Sequence, residues 1–343
     1  MVKVGVVGAS GYAGVELLRL CAAHPEFEVT VAGAGTAAGQ PVGGHTPSLR
    51  AAYPELSFVQ VDADDPQELD GLDLCFLALP HGESQRMVPN LEGRVGAIVD
   101  LAADFRLPAP TYEEWYGHAH TCPELAERAV YGLPEWDRSA LPGAGLVAAA
   151  GCYPTAATLS LLPLVRSELV GTSGIVVDAA SGTSGAGRAP KANLHFGTVD
   201  EDFVAYGLLR HRHTPEMERN LGAEVLFTPH LAPMVRGILA TCYSRPAASH
   251  PGLTTEDVMG ALHAAFDAEP FVCVVDDPPS TKATAGSNLA MVTGRVDERT
   301  GWVVTLCAID NLGKGAAGQA IQCANAVLGL PETTGLPMAA VYP

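Results

Sequence analysis

The chain has 343 residues, 48% of them hydrophobic and 17% charged, which is enough apolar material for two domains. Thirty-eight acidic against twenty basic residues give a net charge of -18, so no general basic surface is left to neutralise a nucleic-acid duplex. Apolar stretches are short and broken by glycine, proline or charge, and the first residues lack a charged segment followed by an apolar one; neither a membrane span nor a secretory leader is expected.

In chain order, KVGVVGA from Lys3 reads as a buried strand and YAGVELLRLCAAH from Tyr12 as a helix with apolar positions at helical spacing. EVTVAG (28–33) and LDLCFLALP (72–80) read as further strands, with the Gly/Ala-rich stretch 33–52 as a long loop. AIVDLA (97–102) and GLVAAA (145–150) extend the series. Continuous apolar strands joined by helices predict a parallel sheet covered on both faces.

After Cys152 the texture changes. TAATLSLLPLV continues helically, GIVVDAASG reads as a strand, and GILATCYSR with the pair NLAMVTGRV and GWVVTLCAI reads as antiparallel strands, the last two joined by a Glu-Arg-Thr-Gly turn. GAAGQAIQCANAVLG (315–329) predicts a closing helix. The expected fold class is α/β: a Rossmann-like dinucleotide-binding domain plus an α+β catalytic and dimerisation domain with a mixed, largely antiparallel sheet.

Gly8, Gly11 and Gly14 fall between the first strand and the first helix. The spacing is GxxGxxG, and three glycines alone are weak evidence in an Ala/Gly-rich chain; their place at a strand-to-helix turn makes a pyrophosphate site the better reading than a bare tight turn. An NAD site normally places an acidic residue at the end of the second strand. Here that strand runs into Ala32, Gly33, Ala34, Gly35 and Thr36, so NADP is favoured, with Thr36 and its loop as phosphate ligands.

The eight cysteines, at 21, 75, 122, 152, 242, 273, 307 and 323, form no CxxC pair, which argues for a reduced cytoplasmic protein without structural zinc or disulfides. For most of them a buried, inert thiol is the expectation. Cys152 differs: Gly151 permits a tight turn and Pro154 suits a first helical turn, so the thiol sits at or just before a helix N-terminus, where the dipole favours a thiolate. LLRHRHTPEMERN supplies His211, His213 and Glu216 just before and within a further helix; a solvated turn is the ordinary reading of such a cluster, but a nucleophile needs an acid/base partner, and His213, nearest the helix start, is favoured with His211 as the alternate. Arg106 in LAADFRLP and Arg188 in SGTSGAGRAPK stand in loops after strands and are candidate anion ligands.

Taken together, GASGYAG, LPHG (79–82), DFR (104–106), GCYPTA (151–156), SGTSGAGR (181–188), HRHTPE (211–216) and DNLGKGAAGQAIQ (310–322) resemble the N-acetyl-gamma-glutamyl-phosphate reductases, in that family's order and across nearly the whole chain. The resemblance implies NADPH-dependent reduction of N-acetyl-glutamyl 5-phosphate to the 5-semialdehyde in arginine biosynthesis, with Cys152 as acyl-accepting nucleophile and His213 as acid/base. It implies that Gly8, Ser10, Gly11, Tyr12, Ala13 and Gly14, Leu79 and Pro80, Ser184, Gly185 and Gly187 line the cofactor, with Asn311 near the nicotinamide. Arg106, Arg188, His211 and Glu216 are left to the substrate, and no metal is expected. The last helix returns to the first domain, giving 1–151 with 314–343 and 152–313, in a homo-oligomer of two or four chains. One departure stands out: Ala149 and Ala150 occupy the place of the usual Asn-Pro before Gly-Cys. The alternatives are an aspartate-semialdehyde dehydrogenase, an aminoadipyl-phosphate reductase, an NADP-binding redox sensor, and a thiol hydrolase with a purely structural glycine turn.

Overall fold

A computed structural model describes residues 1–342, and the chain divides into two compact units: Met1–Ala150 with Ala316–Leu336, and Gly151–Gly315 with the tail from Pro337 onward. The first unit holds seven strands: β1 (Val2–Val7), β2 (Phe27–Gly33), β3 (Phe58–Val59), β4 (Leu74–Leu77), β5 (Ala97–Asp100), β6 (Val130–Gly132) and β7 (Leu146–Ala149). They form one sheet in the order β3-β2-β1-β4-β5-β7-β6, parallel throughout. Every residue of β4 and β5 is buried, as apolar runs covered on both faces require. The helix Tyr12–Ala23 follows β1, and the helix Gly318–Val327 comes back to pack on this sheet.

The second unit carries a seven-stranded mixed sheet: β8 (Ile175–Ser181), β9 (Val204–Ala205), β10 (Val225–Leu231), β11 (Ile238–Ser244), β12 (Val272–Val274), β13 (Ala290–Asp297) and β14 (Trp302–Ile309), ordered β12-β13-β14-β11-β8-β10-β9. Two of its six pairings, β8 with β10 and β12 with β13, are parallel and the rest antiparallel. Along β8 and β11 buried and half-buried residues alternate strictly. The buried face packs on the helices Cys152–Arg166 and Thr255–Phe266, while Val176, Ala180, Leu239, Thr241 and Tyr243 stand on the half-exposed face.

Three features differ from the sequence reading. The stretch 33–52 is not all loop: Val42 and Leu49 are buried in short helical turns at Val42–His45 and Pro47–Leu49. β10 carries Pro229 inside the run VLFTPHL, a residue that argues against a strand. It is tolerated because β9 reaches only His230 and Leu231, and Pro229 offers its carbonyl to Tyr206 N–H at 3.0 Å. The tail from Pro337 was expected with the first domain but groups with the second unit, where Asn288 N–H donates to Pro337 O at 3.0 Å and Val341 N–H to Ala285 O at 2.8 Å. Among the described residues no helix is long and apolar enough to cross a membrane.

Candidate functional site

In the first unit the three glycines do different work. Gly8 has φ +79°, and a Cβ there would sit 2.2 Å from Ala78 O; one on Gly14 would sit 2.2 Å from Gly8 O. Both are demanded by backbone packing alone. Gly11 is the extended N-cap of the helix Tyr12–Ala23, and its nearest neighbour to a Cβ is Gly8 O at 3.4 Å, so the space in front of it is open. That helix has no side-chain cap and no acid in its first turn, which leaves its first N–H groups, those of Tyr12, Ala13 and Gly14, to an anion. The strand order sets the loops after β1, β2 and β4 side by side, so Ser10, the exposed Thr36, and Leu79 with Pro80 belong to one sheet edge. No carboxylate closes β2. These are the features a phosphorylated dinucleotide requires.

The loop carrying Leu79 and Pro80 is clamped from below. Asp104, fully buried, accepts Gly82 N–H at 2.8 and 2.9 Å, Gln85 N–H at 3.3 Å and the Tyr112 hydroxyl at 3.0 Å. LPHG and DFR, separate motifs in sequence, are thus one structure. Beside it Asp100, closing β5, has its carboxyl pushed up to about 7 by burial and by the Asp104 charge. Arg106 is buried and donates to Leu101 O, just after β5, at 2.6 Å.

In the second unit Cys152 is the first residue of the helix Cys152–Arg166. Gly151, the N-cap, has no side chain to cap with, and its N–H donates to Glu216 Oε1 at 2.8 Å. Glu216 was expected to serve the substrate; the structure buries its carboxylate to 1% exposure and turns it onto this backbone instead. Next to Cys152, the Tyr153 ring packs against His211 (5.6 Å between centroids) and His213 (6.0 Å), which sets the HRHTPE segment against the residue following the cysteine. Tyr206 donates to Tyr153 Oη at 3.1 Å, and Tyr153 to His230 O at 3.2 Å. On its other side Cys152 meets bare backbone: a Cβ on Gly315 would lie 2.9 Å from Cys152 Cβ.

The two histidines are not equivalent. His213 N–H donates to His211 Nδ1 at 3.1 Å, so His211 is an acceptor there, and burial together with the Arg212 charge pushes its pKa down to about 4. His211 is a neutral ring at physiological pH. Six other cysteines are buried, and burial holds Cys21, Cys75 and Cys242 up at about 12 and Cys122 at about 11, out of range of thiolate chemistry. Cys273, half-buried, is raised as well.

The loop after β8 is stitched to residues 234–237. Ser184 N–H and Oγ both donate to Val235 O, at 3.1 and 2.6 Å, and Asn311 Nδ2 donates to Ser184 Oγ at 2.9 Å while its Oδ1 accepts Gly237 N–H at 2.7 Å. Asn311, expected near the cofactor ring, is only 2% exposed and has both ends of its amide committed to this loop. Gly185 and Gly187 (φ +81°) are exposed at its crest, as is Arg188. Asp310, next to Asn311, accepts from Arg236 Nη1 (3.2 Å) and Gly286 N–H (2.6 Å). Sequence reasoning missed Asp104, Gly315, Asp310 and Arg236, because each acts through contacts far along the chain. Among the described residues no group of three or more His, Cys, Asp or Glu could hold a metal ion.

Comparison with known proteins adds the following. The family model described as "Semialdehyde dehydrogenase, NAD binding domain" matches residues 3–144, and "Semialdehyde dehydrogenase, dimerisation domain" matches 152–311. Proteins named N-acetyl-gamma-glutamyl-phosphate reductase in Symbiobacterium thermophilum and Desulforudis audaxviator are both 47% identical, covering 100% of this chain and 99% and 100% of theirs. Among solved structures, aspartate semialdehyde dehydrogenase II of Vibrio cholerae superposes with a TM-score of 0.70 at 16% identity, covering 95% of this chain and 98% of that one. Aspartate semialdehyde dehydrogenase of Candida albicans with NADP gives 0.67 at 16% identity over 95% and 98%. At that identity the structural likeness speaks for the fold.

Proposed function

The chain belongs to the N-acetyl-gamma-glutamyl-phosphate reductases of the semialdehyde dehydrogenase family, and from that premise we propose that it reduces N-acetyl-glutamyl 5-phosphate to N-acetyl-glutamate 5-semialdehyde and phosphate with NADPH, through a thioester on Cys152. The observation that carries the reading is Cys152 itself, set on the first turn of a helix without a side-chain cap, with the HRHTPE segment packed on its neighbour.

Cys152 Sγ attacks the acyl carbon, the carbon–oxygen bond to phosphate breaks, and the acyl group is held as a thioester. Bound NADPH supplies hydride. First-turn N–H groups of the Cys152 helix stabilise negative charge on the acyl oxygen. His213 gives the proton that the departing sulfur needs and takes it back when the thiol is next ionised, alternating acid and base near neutral pH. Gly8, Ser10, Gly11, Tyr12, Ala13 and Gly14, with Thr36, Leu79 and Pro80, hold the cofactor in the first unit. Ser184, Gly185 and Gly187 serve it in the second, with Asn311 fixing their loop. Arg106 takes the phosphate, and Arg188 the substrate's other charge. Where the family usually has Asn-Pro, Ala149 and Ala150 are 1% and 2% exposed, and Ala150 packs with Tyr131, Leu133 and Trp136. With no side-chain donor at those positions, the acyl oxygen relies on backbone donors.

Eight free thiols fit a reducing cytoplasm. The half-exposed face of the mixed sheet, with Leu226 50% exposed, fits the dimerisation description of residues 152–311 and supports a homo-oligomer. Sedimentation that finds only monomer at micromolar concentration would contradict it.

The reaction is tested in reverse, with N-acetyl-glutamate 5-semialdehyde, phosphate and NADP⁺, following NADPH by absorbance beside an aspartate semialdehyde control. Phosphate-dependent NADPH formation with the acetylated substrate is expected; formation with aspartate semialdehyde alone, or none with either, refutes the assignment. His213→Asn should cost about 10²–10⁴ in turnover. His211→Asn should cost far less, and should remove a pH effect. The folded pKa of His211 lies below the ordinary value of 6.5, so the unfolded chain takes the proton first, and stability fully present above that value is lost as pH falls towards about 4. Melting curves across that window distinguish the two chains, and equal slopes would refute the neutral-ring reading.

A further inference from the structure

We propose that Glu216 is a positioning residue that caps the nucleophile's helix from a distant part of the chain, holding the Gly151–Cys152 turn against the start of the His213 helix. The inference rests on the reading of Cys152 and His213 given above. A helix whose N-cap is Ser or Thr and whose third residue is Glu closes its own first turn with a capping box. The helix Thr255–Phe266 does so, with Thr254 and Asp257 bonded in both directions. The Cys152 helix has no such means: Gly151 has no side chain, and the third residue is Pro154. The N-cap N–H would be left unpaired in a buried turn. Glu216 Oε1 takes it at 2.8 Å, supplying across 65 residues the acceptor that a local Glu would provide.

Placement gives the contact its consequence. Glu216 is the third residue of the helix Thr214–Leu221, whose N-cap is His213. One hydrogen bond therefore joins the backbone just before the nucleophile to the helix bearing the acid/base group. Being 1% exposed, the carboxylate has exchanged water for protein donors, and moving it would leave a buried charge unsatisfied. It also brings a negative charge to the end of the helix whose dipole favours the Cys152 thiolate, and so opposes that effect. The ionisable groups near Cys152 include Tyr153 on its own helix, Tyr206 bonded to it, and His211 and His213 packed on the Tyr153 ring, while Lys314, next to Gly315 in sequence, has its ammonium over the Phe271 ring.

Two variants separate the acceptor from the charge, read out by iodoacetamide alkylation of Cys152 against pH in the full chain without substrate or cofactor, and by turnover. Glu216→Gln keeps an oxygen for Gly151 N–H. It should hold kcat within about threefold and lower the alkylation midpoint by roughly one pH unit, since a nearby like charge is gone. Glu216→Leu should lower the midpoint too, and lose on the order of 10²-fold in kcat through misplacement, with KM for NADP⁺ unchanged. Midpoints equal to the parent's in both variants, or parental turnover in Glu216→Leu, overturn the proposal. If Glu216→Leu does not fold, the Glu216→Gln midpoint decides. A parent chain that lacks reductase activity would refute the function while leaving the alkylation profiles to judge the brace on their own.

Discussion

Cys152→Ala should show no phosphate-dependent reduction of NADP⁺, a loss of roughly 10⁴-fold or more, while binding NADP⁺ as the parent does. The loss is large because the other thiols among the described residues are held back: Cys273 is half-buried with its pKa raised by burial, and the remaining six are buried. Cys21, Cys75, Cys122, Cys242, Cys307 and Cys323 are buried, and burial raises the first four thiols to between about 11 and about 12. Cofactor binding is expected to survive because the glycine turn proposed to hold it is built on β1 and the helix Tyr12–Ala23, away from Cys152 in the sequence and in a different unit. Cys152→Ser should fail almost as badly, since a hydroxyl at the same place does not ionise near neutral pH. A mutant of either kind with parental rates in the reverse assay would mean hydride moves without a covalent acyl-enzyme. Native-state alkylation gives a second check: the fast-reacting thiol of the parent should be missing from Cys152→Ala.

Gly8→Ala and Gly11→Ala should part company, though both change a glycine of one motif. At Gly8 the new methyl would lie 2.2 Å from Ala78 O with φ at +79°. The left-handed backbone costs about 1–2 kcal/mol for a residue with a Cβ, and forced overlap about 1–3 kcal/mol more. Gly8→Ala is therefore expected to lose several degrees of melting temperature or to fail to fold. At Gly11 the backbone is extended, with φ -78°, and the nearest atom to a Cβ is 3.4 Å away. That variant should melt close to the parent yet bind NADP⁺ at least tenfold more weakly, because the methyl occupies space the pyrophosphate needs, a loss of about 1.4 kcal/mol or more. Calorimetry and cofactor titration on the pair settle it. Normal affinity in Gly11→Ala would show that the turn is only structural.

Local pattern was the legible part of the sequence. The strands β1, β2, β4, β5 and β7 and the hairpin β13–β14 announce themselves by apolar runs and turn residues, and Cys152 by Gly151 and Pro154 around it. β10 was hidden because Pro229 argues against a strand unless one knows that its neighbour β9 is two residues long. Glu216 was found as a residue, but its bond to Gly151 N–H was not, since that group lies 65 positions away. The same holds for Asp104, whose partners are Gly82 in a different motif and Gln85 just beyond it. Periodicity carries information about which face is buried; it carries none about which distant N–H a buried carboxylate will meet.

A helix that borrows its cap has a bearing on how the protein comes into being. Residues 152–166 can coil early, as local contacts allow, but the end that matters is completed only when the chain beyond residue 213 has been made and docked. A nascent chain released before that point would carry the cysteine without the brace proposed to set its helix against the start of the next. On that proposal, turnover rather than thiol reactivity is what waits for the unit to be assembled.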